Sequence, residues 1–78
     1  MSQSLNICKI GEKLRVSNIL PSEISSKLLE MGFYSGKEIE ILYKAPFGDP
    51  IAIQVGDYVL SMRKNEAQYI EVIKSVNN

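Results

Sequence analysis

The sequence predicts a mostly β domain: a small five-stranded barrel with one inserted α-helix and a short helical turn before the last strand. Three observations lead there. Apolar residues alternate with a period of two in separate runs along most of the chain, the signature of half-buried strands. Turn residues punctuate these runs at Gly36, at the corner Pro46–Pro50 and at Gly56-Asp57. Only residues 20–32 carry helical spacing instead. A chain of 78 residues makes one small domain. In so small a β domain, closing or nearly closing a barrel removes exposed strand edges.

The first strand is "KLRVSNI", with Leu14 and Val16 on one face and Arg15 and Ser17 on the other. Gly11 turns the chain into it. The helix follows. Pro21 disfavours helix at Leu20, Ser22 is the expected N-cap, and Glu23 suits the positive end of the helix dipole. Ile24, Leu28 and Met31 form one apolar stripe that Leu29 widens, while Lys27 and Glu30 point away. Gly32 is the expected C′ residue, and Phe33 after it can pack back on the last turn.

After the Gly36 turn, Ile39, Ile41 and Tyr43 alternate with Glu38, Glu40, Leu42 and Lys44. The corner "APFGDPI" has Gly48-Asp49 as its expected tip, with Pro46 and Pro50 setting φ on either side. Phe47 is then a large apolar ring near the tip of a loop. Ile51, Ile53 and Val55 share a face, as do Tyr58, Leu60 and Met62 beyond the two-residue turn Gly56-Asp57. "KNEAQYI" predicts a helical turn capped by Asn65. "IEVIKSV" is the last strand, and Asn77-Asn78 a frayed end. The expected domain is residues 1–78, with a core from about Lys13 to Val76.

Nine Lys and Arg balance nine Asp and Glu, and Arg63-Lys64 is the only adjacent basic pair. The positive excess that drives phosphate-backbone binding is missing, so nucleic acid is not an expected partner. The single cysteine cannot make an internal disulfide, which fits a reducing compartment. No apolar run approaches the ~20 residues of a membrane span, and no secretory signal is evident, so a cytoplasmic location is expected.

Nucleophilic catalysis needs an activating base, and Cys8 has no histidine to serve it. It is expected in a mobile N-terminal segment. Glu38 and Glu40 share a strand face, where they can be a cation or acid–base pair, or simply the solvated side. The composition disfavours a tight transition-metal site, leaving only weak oxygen ligation by Asp49, Asp57 or glutamates. "APFGDPI" is no phosphate loop. It lacks the Gly-x4-Gly-Lys-Ser/Thr pattern, and each proline removes an N–H that would cradle an anion. No catalytic residue is identified.

From Lys13 to Val76 the chain resembles the FeoA family of ferrous iron transport. The resemblance rests on Leu28-Leu29-Glu30-Met31-Gly32, Gly36, Ala45-Pro46-Phe47-Gly48-Asp49-Pro50, Leu60-Ser61-Met62-Arg63, Ala67 and Ile70. Ser35 stands where the family often has proline, and Met62 where it usually has an aliphatic residue. The resemblance implies an SH3-like barrel with an inserted helix. It also implies a cytoplasmic, non-enzymatic interaction module acting on FeoB, the membrane protein that carries ferrous iron and bears a GTPase domain. Contact with the membrane would run only through FeoB. FeoA-like domains also occur at the C-terminus of DtxR-type metal-dependent repressors, but with 78 residues and no helix-turn-helix ahead of the barrel a complete repressor is not expected.

Six residues are candidates for partner binding: Tyr34, Leu42, Phe47, Val59, Arg63 and Lys64. Leu42 and Val59 fall out of phase with the inward sets of their strands, Tyr34 and Phe47 sit in loops, and Arg63-Lys64 can steer an acidic partner. The rings can equally cover the barrel ends, and only a contiguous apolar patch marks an interface. The alternative function is a metal-responsive regulatory domain that binds a divalent transition metal, ferrous or other, weakly. Edge strands of an imperfect barrel can also pair between chains, making a homo-oligomer.

Overall fold

A computed structural model describes residues 2–75, so Met1, Val76 at the end of the expected last strand, and Asn77-Asn78 lie outside the described residues. The elements are β1 (Gln3–Ser4), a 3-10 turn (Leu5–Ile7), β2 (Lys13–Ile19), α1 (Ser25–Glu30), β3 (Glu38–Lys44), β4 (Ile51–Val55), β5 (Tyr58–Met62), α2 (Lys64–Ala67) and β6 (Ile70–Lys74). The strands form one antiparallel sheet in the order β1-β6-β2-β3-β4-β5. Their inward faces meet in a single core that includes Leu14, Val16, Ile39, Ile41, Ile51, Ile53, Val55, Met62, Ile70 and Val72. Six strands can share one core only if the sheet curls around it.

The sixth strand, β1, was not expected. It pairs Gln3 with Val72 and Ser4 with Glu71, and Leu5 behind it is fully buried. Cys8 is therefore a core residue rather than part of a mobile segment. Its thiol donates to the Ser4 carbonyl, and Lys44 Nζ donates to the Cys8 carbonyl. Burial, aided by nearby Glu12 and opposed by Lys44, pushes the Cys8 thiol above its ordinary pKa. The native protein should react with Ellman's reagent roughly a hundredfold more slowly than the same chain in denaturant. Equal rates would show that β1 and the 3-10 turn do not hold the cysteine in the core.

α1 is shorter than its sequence pattern. Residues 21–24 form a bend in which Ile24 N–H donates to Ser22 Oγ (3.3 Å) and Ser22 N–H donates to Ser25 Oγ (2.9 Å). The expected Ser22 cap thus works one turn before the regular helix. At the other end Phe33 N–H reaches Leu28 O (3.1 Å) and Gly32 N–H reaches Leu29 O (3.0 Å). With Gly32 at φ 107°, this is a Schellman ending, and Phe33 is fully buried as its hydrophobic partner. Leu28 is buried, and Ile24 and Met31 pack against the core. Leu29 does not widen the stripe: it is 52% exposed. One and a half turns present only a narrow face to the sheet, and Leu29 lies about 100° round from Leu28.

Tyr43 also departs from expectation. A register shift between Ile41 and Tyr43 breaks the alternation of β3, so Leu42 and Tyr43 are both exposed and neither joins Ile39 and Ile41. In β5, Met62 is buried and Leu60 packs on the core, but Tyr58 is 40% exposed. The Tyr58 hydroxyl donates to the Met31 carbonyl at the end of α1. The ring therefore stays at the rim of the core.

Candidate docking surface

The corner between β3 and β4 is built by its prolines and glycine. Gly48 N–H donates to Ala45 O (2.7 Å), closing a turn whose central residues are Pro46 and Phe47 rather than Gly48-Asp49. Proline's fixed φ suits the second position of such a turn, and Gly48 leaves it at φ 84°. Ala45 N–H donates to Pro50 O (3.0 Å) across the base, and the Asp49–Pro50 peptide is cis. Asp49 Oδ1 accepts the Lys64 N–H (2.9 Å), tying the corner to the start of α2. Phe47, held by this framework, is 96% exposed and covers no barrel end.

The neighbouring outer face of the sheet follows from the register. Tyr43 opposes Ala52, which opposes Ser61; Glu40 opposes Gln54, which opposes Val59. Leu42, Tyr43 and Val59 are exposed on these strands. Arg63 and Lys64 follow β5 at the corner end, where Ile51 pairs with both Lys44 and Met62. Leu42, Phe47, Arg63 and Lys64 therefore lie toward one end of the sheet. Val59 lies further along β5. Tyr34 sits toward the other end: Lys37 Nζ stands 5.5 Å from its ring centroid, and the same ammonium crowds Gly56 in the β4–β5 turn.

Arg63, not Asn65, caps α2: its N–H donates to Glu66 Oε1 (2.9 Å), with Asn65 inside the helix. That bond, with Lys27 Nζ at 3.2 Å from the same carboxylate, holds Glu66 below the ordinary carboxylate range. Glu38 is likewise lowered, first by its hydrogen bond from Arg15 at 2.6 Å. A groove of about 650 Å³ between the start of α1 and α2 is lined by Pro21, Ser22, Ile24, Arg63, Glu66 and Tyr69 among others. Among the described residues, no three of His, Cys, Asp and Glu converge into a metal-binding group, and no helix is long and apolar enough to cross a membrane.

The FeoA domain pattern matches residues 3–74. The chain belongs to the FeoA family. A curated relative, the Fe(2+) transport protein A/Fe(2+) transporter FeoB fusion protein of Porphyromonas gingivalis, is 44% identical over 46 residues. That match spans 59% of this chain and 6% of the fusion protein. The solution structure of a FeoA-like protein from Clostridium acetobutylicum superimposes with a TM-score of 0.90 at 41% identity, covering 99% of this chain and 91% of that one. The crystal structure of Stenotrophomonas maltophilia FeoA complexed with zinc, described as a procaryotic SH3 domain protein, gives 0.81 at 26% identity, covering 91% and 89%. The fold of this FeoA-family chain is accordingly SH3-like. The family match begins at Gln3, in agreement with a core that includes Leu5 and Cys8.

Tyr34, Leu42, Phe47 and Val59 are all exposed, so none of them covers a barrel end; Tyr43, Leu29, Ile7 and Ile10, which the letters did not single out, are exposed as well. The Tyr43 signal is absent from the letters, because an uninterrupted alternation conceals a bulge. The expectation that Glu38 and Glu40 form a solvated face fits an ion-paired, exposed Glu38 and a half-exposed Glu40.

Proposed function

We propose that this FeoA-family domain is a cytoplasmic, non-enzymatic module that docks on the cytoplasmic part of FeoB and modulates ferrous iron uptake. The docking surface is the corner end of the sheet: Phe47 with Leu42 and Tyr43, flanked by Arg63 and Lys64 and extended by Val59. The observation that carries this reading is Phe47, an almost fully exposed ring on a turn fixed by bonds at Ala45, Gly48 and Asp49. A turn whose backbone is already fixed loses little main-chain freedom on binding, which suits the ring it carries to be an anchor. The fusion of the two proteins in P. gingivalis supports the choice of partner. Tyr34 reaches the same partner only if that partner spans β4, about 13 Å along the strand.

Phe47→Ala and Leu42→Ser, tested in pull-down and crosslinking with full-length FeoB, are the deciding variants. Phe47→Ala should leave stability within about 0.5 kcal/mol, because the ring buries nothing, yet weaken capture by roughly tenfold or more. Undiminished capture by both folded variants removes this surface. No capture of FeoB by the unsubstituted chain removes the partner.

A second reading, weak binding of a divalent transition metal, draws support from the zinc complex of the S. maltophilia relative. Titration with ferrous or manganous ion tests it. No saturable binding at cellular metal levels, in monomer or oligomer, ends it.

A further inference from the structure

β5 is the last strand of the sheet on its side. Natural edge strands are guarded by charges, prolines or bulges that discourage pairing with another chain. β5, "YVLSM", has no charge and no proline, and its pairing with β4 runs without a register shift. Val59 and Ser61 are exposed.

The register fixes which backbone groups are free. In an antiparallel pair, alternate residues direct both N–H and C=O at the neighbour. The two-residue turn closes on Val55 opposite Tyr58, which makes Tyr58, Leu60 and Met62 the set that bonds to β4. The N–H and C=O groups of Val59 and Ser61 therefore face the open edge. Beyond Met62 the ladder stops, because Arg63 N–H is taken by Glu66.

We propose that this edge pairs with the β5 of a second copy of the chain, antiparallel about a twofold axis at Leu60. That register sets Val59 opposite Ser61 of the copy and Ser61 opposite its Val59, each pair exchanging two backbone hydrogen bonds. Leu60 meets its own counterpart, so the half-buried side chain gains an apolar neighbour. The same register sets Arg63 opposite Asp57 of the copy, twice by symmetry. Both residues are exposed, and the ion pairs among the described residues, Arg15–Glu38 and Lys27–Glu66, engage neither. A one-residue slip would aim bonded groups at each other and separate these charges. An uncharged edge bracketed by one acid and one base at mirror positions is complementary to itself, which is what a twofold contact requires.

The interface is one short strand, so the dimer should dissociate in the range of about 10–500 μM. Sedimentation of the full chain across this range should show monomer giving way to dimer and stopping there. Asp57→Arg and Arg63→Asp should each weaken the dimer by roughly tenfold. Mixing the two single variants should restore it, because every cross-chain pair is then opposite in sign. Leu60→Cys should crosslink under mild oxidation, since a pair without mutual hydrogen bonds brings Cα atoms to about 4.5 Å, within disulfide range. Ser61→Cys should not crosslink. Cys8 is buried and will not confuse the result.

A chain monomeric throughout, species that keep growing with concentration, or crosslinking at Ser61 rather than Leu60 would each overturn the proposal. It shares Val59 and Arg63 with the surface proposed for FeoB, but none of its tests uses FeoB. The crosslink at Leu60, a residue outside that surface, keeps the two questions separate.

Discussion

Phe33→Ala should remove about 3–5 kcal/mol of folding stability. Phe33 is the largest of the fully buried side chains, at 0% exposure. It is also the residue through which α1 is closed onto the sheet, since its N–H completes the Schellman ending on Leu28. A chain of 78 residues has only about 4–12 kcal/mol in total at the usual stability per residue. The substitution should therefore remove about a quarter or more of the total stability and lower the denaturant midpoint in proportion. Phe33→Leu, which keeps most of the volume, should cost about 1.5 kcal/mol or less. Urea unfolding followed by far-UV circular dichroism measures both. A loss below about 1 kcal/mol for the alanine variant would mean that the ring's place in the core is misassigned.

The second large effect is at the adjacent position. Gly32 stands at φ 107°, and a Cβ added there would run into the Tyr58 hydroxyl and lie 3.1 Å from Val55 Cγ1. An L-residue in left-handed backbone costs about 1–2 kcal/mol before any contact is counted. Displacing the Tyr58 hydroxyl also gives up its hydrogen bond to Met31 O, about another 1 kcal/mol. Gly32→Ala should thus cost about 2–3 kcal/mol. Gly36 supplies the internal control: its φ is 93°, but nothing lies within 4 Å of an added Cβ. Gly36→Ala should show the backbone cost alone. Tyr58→Phe in the Gly32→Ala background should recover part of the loss, which a double-mutant cycle resolves. Equal costs at Gly32 and Gly36 would refute the crowding.

These two residues show what was legible beforehand. Gly32 as C′ and Phe33 as the residue that packs back were readable, because a helix ending is written within six consecutive residues. The β4–β5 hairpin was readable for the same reason: alternation on both sides of Gly56-Asp57 determines the turn, its register and, Tyr58 at the rim excepted, the inward face. The misread features all depend on distant partners. β1 exists because Gln3 and Ser4 meet Val72 and Glu71, and two residues carry no periodicity of their own. The α2 cap moved from Asn65 to Arg63 because Glu66 bonds Arg63 N–H while Asp49, from another loop, holds Lys64 N–H.

The proposed docking surface divides along the same line. Phe47 was recognisable as a ring on a corner from Pro46, Gly48 and Pro50 alone. That its corner is tied to the start of α2 was not, since it follows from the hydrogen bond between Asp49 and the Lys64 N–H. Tyr43 is exposed only through the bulge in β3, and Tyr34 lies toward the other end of the sheet.

By itself, then, the sequence determined the fold class, the helix ending and the hairpin register, all encoded in local spacing and in conformations that only glycine or proline readily supplies, and its motifs carried the resemblance to the family. The tertiary structure decided where the core begins, which residues share the outer face and which edge is left open. These depend on pairings between residues far apart in the chain, where the choice among registers and bulges is made by packing around the common core.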